Sequence, residues 1–222
     1  MTKELKFNFK TEWLPIFFII ISIAASFYFY SHFPEEVVTH WNFRGEADGW
    51  SSKGFAAFFF PGLLAFMYLM FLFLPKIDPR GSKYKQFGKT YNIFKTIIIA
   101  FMAGIYFIVG LNGIGYDIEV GSYIPIGVGL LMIIMGNYMS KIKSNWFIGI
   151  RTPWTLSSES VWSKTHRFGG KIFMLGGLLI ALMPWVPGSF QLPLFILIII
   201  IMVIGSFGYS YFAYRKEEKS KK

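Results

Sequence analysis

The amino-acid sequence contains no cysteine among its 222 residues. This absence excludes disulfide bonds, thiolate metal sites and a cysteine nucleophile. Charged side chains are also scarce, at 15% of the residues, whereas hydrophobic residues make up 54%. Because about a quarter of the residues in a water-soluble domain are charged, this composition predicts a membrane protein.

Sequence signatures of hydrolytic enzymes are absent as well. The chain has neither a G-x-S-x-G motif nor an H-E-x-x-H motif, which mark the nucleophile or the zinc ligands of common hydrolases. The long apolar runs contain no Asp, Glu, His or Arg. Lys95, near the start of the third run, is expected to extend to the cytoplasmic surface. Proton relays and coupled transporters need ionisable groups at membrane depth. The sequence therefore predicts a protein that is neither an enzyme nor a coupled pump and that uses no cofactor or metal.

Six apolar runs approach or exceed the length that crosses a bilayer, which is about 18 to 20 residues of helix. They are residues 13–30, 55–74, 93–111, 123–139, 168–185 and 192–211. Each run is too long and too continuously apolar for a strand of a membrane β-barrel. We therefore predict an all-α, polytopic membrane protein with six transmembrane helices.

The basic residues alternate along the chain in a way that predicts its orientation. Three Lys or Arg residues precede the first run, five follow the second, six follow the fourth and five lie in the tail, whereas the loop after the first run has two and the loops after the third and fifth have none. Because basic loops stay in the cytoplasm, both termini are predicted to be cytoplasmic. The protein is predicted to lie in the plasma membrane. The net charge of +10 is explained by these basic loops, which contact membrane lipids. No nucleic-acid partner is predicted. Residues 31–54, the outer loop, then lie outside the cell, and residues 140–171, the inner loop, lie inside.

Glycines recur at helix-packing spacings in the second half of the chain. These glycines are Gly129, Gly136, Gly169, Gly170, Gly176, Gly177, Gly205 and Gly208. Small residues let membrane helices approach closely, so we expect the last three spans to pack tightly. The alternative is that these glycines are simply tolerated in lipid.

The outer loop contains the stretch "VTHWNFRGEADGW", which is polar and aromatic between two apolar runs. Pro34 is expected to end the first helix, and "ADG" to form a tight turn of a hairpin-like excursion. One interpretation is an aromatic belt at the headgroup level, and a second is specific recognition through directional groups such as His40, Asn42 and Asp48. A third is a cation site, for which the candidate ligands are His32, Glu35, Glu36, His40, Glu46 and Asp48.

The inner loop is richer in directional groups. Gly149 and Pro153 are expected to fix a turn, and Ser157 to cap a helix that lies in the membrane interface before it bends into the fifth span. Arg151 is expected to bind either Glu159 or backbone carbonyls. His166 is expected to stack or form hydrogen bonds locally, beside Trp162. An ordinary surface helix with basic lipid anchors is the alternative interpretation.

Two motifs in these loops resemble the SdpI family, immunity proteins that protect bacteria producing a secreted killing peptide. The first is "P-x-x-V-x-x-H-W-N-x-x-G-x-x-D-G-W-x-S-K" at residues 34–53, which looks like the family's amino-terminal domain of unknown function. The second is "NWFIGIRTPWTLSSESVWSKTHRFGGKIF" at residues 145–173, which looks like its carboxy-terminal signature. The similarity covers almost the whole chain.

The resemblance implies resistance to a membrane-acting toxin peptide and, as a second role, a receptor that holds a cytosolic transcriptional repressor at the membrane. The residues predicted for outer recognition are His40, Trp41, Asn42, Gly45, Asp48, Gly49 and Trp50. Those predicted for inner recognition are Asn145, Gly149, Arg151, Thr152, Pro153, Trp154, Trp162, Lys164, His166 and Arg167. The alternatives are a membrane enzyme or a protein that handles lipid headgroups, and a small-solute carrier.

The two loops also resemble each other. A shift of 104 residues aligns Gly45 with Gly149 and Trp50 with Trp154. Because each loop follows the first span of a three-span half, we hypothesise a 3+3 inverted repeat with halves at residues 1–112 and 113–222.

Overall fold

The computed structural model describes residues 8–220, which form a bundle of long helices. The elements in chain order are α1 (Phe9–His32), β1 (Glu36–Trp41), β2 (Ala47–Ser52), α2 (Lys53–Ile77), α3 (Gly88–Gly113), α4 (Val120–Met139), α5 (Pro153–Ser157), α6 (Glu159–Ala181) and α7 (Gly188–Lys219). Short 3-10 helices at Gly81–Phe87 and Met183–Trp185 follow α2 and α6. The predicted all-α fold is confirmed, and the sheet in the described residues is limited to the β1–β2 hairpin.

Five helices in this part of the chain are long and apolar enough to cross a membrane: α1, α2, α3 with the 3-10 helix before it, α4 and α7. The remaining predicted span, residues 168–185, covers the second half of α6 and the short 3-10 helix after it, and the first half of α6 has charged residues such as Lys164 and Arg167. The predicted interfacial helix and most of the predicted fifth span lie in one continuous helix, α6. The protein is a polytopic helical membrane protein.

The helix ends follow their capping residues. Phe33 follows the last residue of α1 in an extended conformation, as expected for a residue before proline. The predicted cap of α6 was one residue out: the Ser158 hydroxyl accepts the Val161 N–H at 3.3 Å, whereas the Ser157 hydroxyl donates to the Trp154 carbonyl. Ser158 therefore starts α6 and separates it from α5.

The first three long helices pack around a buried aromatic and charged interior. The Tyr106 hydroxyl of α3 donates to the Ala57 carbonyl of α2 at 2.8 Å, and the Phe29 ring of α1 packs against the Tyr106 ring edge to face. Lys95 is buried and bonded to Glu12, so the expectation that it extends to the cytoplasmic surface was wrong. The reason is that α1 begins at Phe9, earlier than the predicted span, and so brings Glu12 into the bundle.

The tight packing predicted from glycine spacing is confirmed where α4 crosses α6. A Cβ atom on Gly129 would lie 2.4 Å from the Gly177 carbonyl oxygen, and one on Gly136 would lie 2.6 Å from the Gly170 carbonyl oxygen. No real side chain fits at such distances, so the two helix backbones touch along this seam. Gly208 on α7 has open space around it and does not contribute.

The two polar loops lie at opposite ends of the bundle. The outer hairpin (β1 and β2) lies beside Gly113 at the end of α3 and Gly121 at the start of α4, whereas the inner loop bonds to Asp78 after α2 and to Ser210 in the last third of α7. We call these the outer and inner ends. Four lysines of the charge count, Lys3, Lys6, Lys221 and Lys222, lie outside the described residues.

Candidate functional site

The outer hairpin is closed by a turn that the side chain of Asn42 organises. Its Oδ1 atom accepts the backbone N–H of Arg44 at 2.8 Å and that of Glu46 at 3.1 Å. Gly45 has a φ of +77°, a conformation that glycine adopts without strain. The tight turn predicted at residues 47–49 was therefore misplaced: those residues lie in β2, and the turn precedes them.

A side-chain hydrogen bond joins the two strands next to this turn. The His40 Nδ1 atom lies 2.5 Å from Oδ1 of Asp48 across the hairpin. Gly49 pairs with His40 in the ladder, and a Cβ atom there would lie 2.8 Å from the His40 Cβ, so glycine leaves room for the imidazole. The structure thus brings together four of the predicted outer residues: His40, Asn42, Asp48 and Gly49.

The outer hairpin presents these groups to the surroundings. His40 and Asp48 are exposed, Trp41 and Asn42 are half-buried, and the Trp50 side chain is 56% exposed. The exposed Trp50 indole and the exposed, hydrogen-bonded side chains of His40 and Asp48 form a surface that a partner molecule can contact directly.

Asn145 shapes the inner loop from inside. Its Oδ1 atom accepts the backbone N–H groups of Phe147 at 2.9 Å and Ile148 at 2.7 Å, while Nδ2 donates to the carbonyls of Lys143 and Ile148. The side chain is fully buried, with 0% exposure. Its four bonds satisfy backbone groups that the loop would otherwise leave unpaired.

His166 and Trp162 anchor the same loop to α6. The Ile150 N–H donates to His166 Nε2 at 3.0 Å, His166 Nδ1 donates to the Trp162 carbonyl at 2.9 Å, and the two rings stack with centroids 4.1 Å apart. The predicted local role of His166 is confirmed. Burial lowers the pKa of His166 to about 4, so its imidazole is neutral at physiological pH. Gly149 has a φ of +111° and its Cα lies against this imidazole.

Thr152 ties the loop to α7. It caps α5 in a reciprocal arrangement with Thr155, and its hydroxyl donates to the Ser210 hydroxyl at 3.0 Å. Pro153 is the first residue of α5, and the Trp154 ring meets the Tyr211 ring of α7 at 5.1 Å. These inner residues therefore hold α5, α6 and α7 together.

Arg151 has a backbone partner, one of the two alternatives expected for it. Its guanidinium donates to the Trp146 carbonyl, whereas Glu159 pairs with Lys83. The hydrogen bond and charge of Lys83 lower the pKa of the Glu159 carboxyl. Arg151, Pro153, Lys164 and Arg167 are exposed.

Sequence reasoning missed two residues that join the inner loop to the first half of the chain. The buried carboxylate of Asp78 accepts the Tyr84 hydroxyl at 3.0 Å and the Trp146 N–H at 2.9 Å. Arg80 donates to the Leu156 carbonyl at 3.0 Å and its guanidinium lies over the Trp146 ring. The available signal was a single carboxylate, in "DPR", within an otherwise basic loop.

A metal site is not formed by the groups considered for one. Within residues 8–220, no three His, Asp or Glu side chains are grouped so that they can hold a metal ion. His32 stacks on Tyr28, and Glu35 pairs with Lys53, away from the His40–Asp48 pair.

Comparisons with known proteins agree with the two loop motifs. Residues 141–211 match the SdpI/YfhL protein family, and residues 17–65 match a domain of unknown function (DUF1648). The chain is 28% identical over 212 residues to the "Immunity protein SdpI" of Bacillus subtilis (strain 168), a match that covers 96% of this chain and 100% of that protein. No solved structure matches the chain significantly. The resemblance to the SdpI family that the two loop motifs carry is therefore confirmed.

Proposed function

We propose that this chain is a membrane immunity protein, without enzymatic activity, that protects a bacterium against a secreted killing peptide. The observation that carries the proposal is the match to the B. subtilis immunity protein, which covers 96% of this chain and includes both polar loops. The exposed outer hairpin is the surface that meets the peptide, because it presents an exposed indole and the hydrogen-bonded side chains of His40 and Asp48.

The proposed orientation puts the outer end outside the cell and both termini in the cytoplasm. Charge supports it. The connections at the outer end have six acidic residues and two basic ones: Glu35, Glu36, Glu46, Asp48, Asp117 and Glu119, with Arg44 and Lys53. The connections at the inner end are strongly basic, which is typical of cytoplasmic loops in contact with anionic lipids.

Growth of sensitive cells tests the immunity function. A B. subtilis strain that lacks its own SdpI is given this chain or an empty vector and is challenged with the killing peptide against which SdpI protects. We expect growth only with the chain. Equal killing of both strains, with the chain detected in the membrane fraction, contradicts the proposal.

A second role is proposed for the inner end: it holds a cytosolic repressor at the membrane. Lys164 and Arg167 are exposed on α6 and Arg151 is exposed on the preceding turn, so they offer a cationic surface to a cytosolic partner. In a Lys164→Glu/Arg167→Glu variant, a fluorescently tagged repressor should stay in the cytosol while peptide resistance is retained. Retention of the repressor at the membrane by this variant argues against the role.

The two halves, residues 1–112 and 113–222, are proposed to be an inverted repeat. Two observations support it. Gly45 and Gly149, which the 104-residue shift aligns, both have positive φ, and each polar loop contacts the opposite half. Failure to bring the two loops together when α1–α3 are superposed on α4, α6 and α7 contradicts the proposal.

A further inference from the structure

A cavity with a volume of about 420 Å³ lies between the two halves at the outer end. The outer hairpin forms one wall with His40, Trp41 and Asn42. The other walls come from both halves and include Ile105 of α3, Ile124 of α4 and Phe195 of α7. Ligand-binding cavities typically have volumes of about 300 to 1,000 Å³, so this cavity has room for a few apolar side chains of a partner.

The outer hairpin spans the gap between the halves beside this cavity. The Phe43 ring of the turn packs on the Phe195 ring of α7, with centroids 5.5 Å apart. The backbone of Gly45 lies against that of Gly121, where a Cβ atom would lie 2.9 Å from the Gly45 Cα. The predicted outer recognition residues and the cavity are therefore parts of one site.

The cavity lining is apolar on the helix side, and on the hairpin side two lining residues, His40 and Asn42, are hydrogen-bonded to carboxylates. His40 bonds to Asp48 at 2.5 Å, and the Asn42 amide donates to Glu46 at 2.8 Å. We call Glu46 and Asp48 the acidic rim. It belongs to an outer end that has more acidic than basic residues, and such a surface attracts cationic partners.

We propose that this cavity binds apolar side chains of the killing peptide, while basic groups of the peptide lie at the acidic rim. The inference rests on the proposed immunity function and adds the location of the site and the chemistry of its ligand, a cationic amphipathic peptide. A membrane phospholipid fits less well. Its acyl chain suits the apolar walls, but its phosphate would lie beside carboxylates, and like charges in contact are unfavourable.

Single cysteines test the location, because the chain has none of its own. Ile124→Cys places a thiol in the cavity wall. Tyr116→Cys places one on the exposed connection between α3 and α4 as a matched control at the same end. Each protein is reconstituted in phosphatidylcholine vesicles and treated with a small maleimide, with or without the killing peptide.

The peptide should slow the labelling of Ile124→Cys about tenfold at a concentration ten times its Kd and leave Tyr116→Cys unchanged. An Ile124→Cys protein that reacts at the same rate with and without peptide overturns the inference, whether a lipid chain fills the cavity or the peptide binds elsewhere. Equal slowing at both positions overturns it too.

A second pair of variants separates this inference from the proposed function. Ile124→Trp fills the cavity, and Leu130→Trp adds the same bulk to the exposed face of the same helix. In the growth assay, Ile124→Trp should lose resistance and Leu130→Trp should keep it. If both variants confer resistance, the cavity is not the binding site, although the proposed immunity function stands. If the unaltered chain confers no resistance, the proposed function itself is wrong.

Discussion

The Lys95 ammonium lies 2.5 and 2.6 Å from the two carboxylate oxygens of Glu12, with the Tyr68 hydroxyl donating to the same carboxylate at 2.9 Å. Both charged side chains are almost completely buried, at 1% and 4% exposure. The pair joins α1 to α3, and Tyr68 adds α2. A charge at this depth is stable only with its partner, so the pair fixes how the first three helices pack.

Loss of either charge alone should destabilise the protein strongly. Lys95→Met leaves the Glu12 carboxylate buried without its counter-ion, and breaking a buried pair in this way costs about 3 to 5 kcal/mol. Thermal unfolding of the purified protein in detergent measures the effect as a lower Tm. Glu12→Gln/Lys95→Met removes both charges and should recover most of the loss.

The exposed pair of Lys83 and Glu159 provides the control for this prediction. Because a surface ion pair contributes less than about 1 kcal/mol, Lys83→Met should barely change Tm. Equal losses in Lys83→Met and Lys95→Met would show that the buried pair has no special role.

Stability should depend on pH through His166. The pKa of its imidazole is about 4 in the folded protein and 6.5 in the reference state, so between these values the unfolded chain binds more protons. The stabilisation is therefore complete above about pH 6.5 and is lost as the pH falls towards 4, by up to about 3 kcal/mol. His166→Gln should flatten this part of the profile of Tm against pH. If the profile of Tm against pH in His166→Gln runs parallel to that of the unaltered protein, the pH dependence comes from other groups.

Gly149→Ala should be more damaging than the same change at Gly115. Both glycines have positive φ, +111° and +99°, so alanine strains the backbone at each, by about 1 to 3 kcal/mol. At Gly149 the new Cβ atom would also lie 2.3 Å from His166 Nε2, whereas Gly115 has open space. A Tm loss that is larger in Gly149→Ala supports this difference, and equal losses contradict it.

The fold was predictable from the sequence where the signal is local. Apolar runs located the membrane helices and Pro34 located the end of α1. The glycine spacing predicted tight packing among the last three spans, and the closest approach is that of α4 with α6. The pair of Glu12 and Lys95 was not predictable, because 83 residues separate the two and each lies at the edge of an apolar run. Sequence inspection also cannot distinguish Asn145, buried among backbone groups, from an exposed recognition residue in the same motif.

Trp50 provides a test of whether the outer hairpin recognises a partner or only anchors the protein in the headgroup region. Trp185 is the matched control, since it is also exposed and lies at the same end, outside the hairpin. We expect Trp50→Ala to lose peptide resistance in the growth assay at an unchanged protein level, and Trp185→Ala to keep it. Equal behaviour of the two variants favours a general aromatic belt.

We propose that the outer hairpin faces the outside of the cell, where a secreted peptide arrives, and that the inner loop faces the cytoplasm. The most direct test labels single cysteines in intact cells with a maleimide that does not cross membranes, at Arg44→Cys in the hairpin turn and at Lys141→Cys in the inner loop, both exposed positions. We expect Arg44→Cys to react in intact cells and Lys141→Cys to react only after the membrane is permeabilised. Reaction of both cysteines from the same side, or of Lys141→Cys alone, contradicts this orientation.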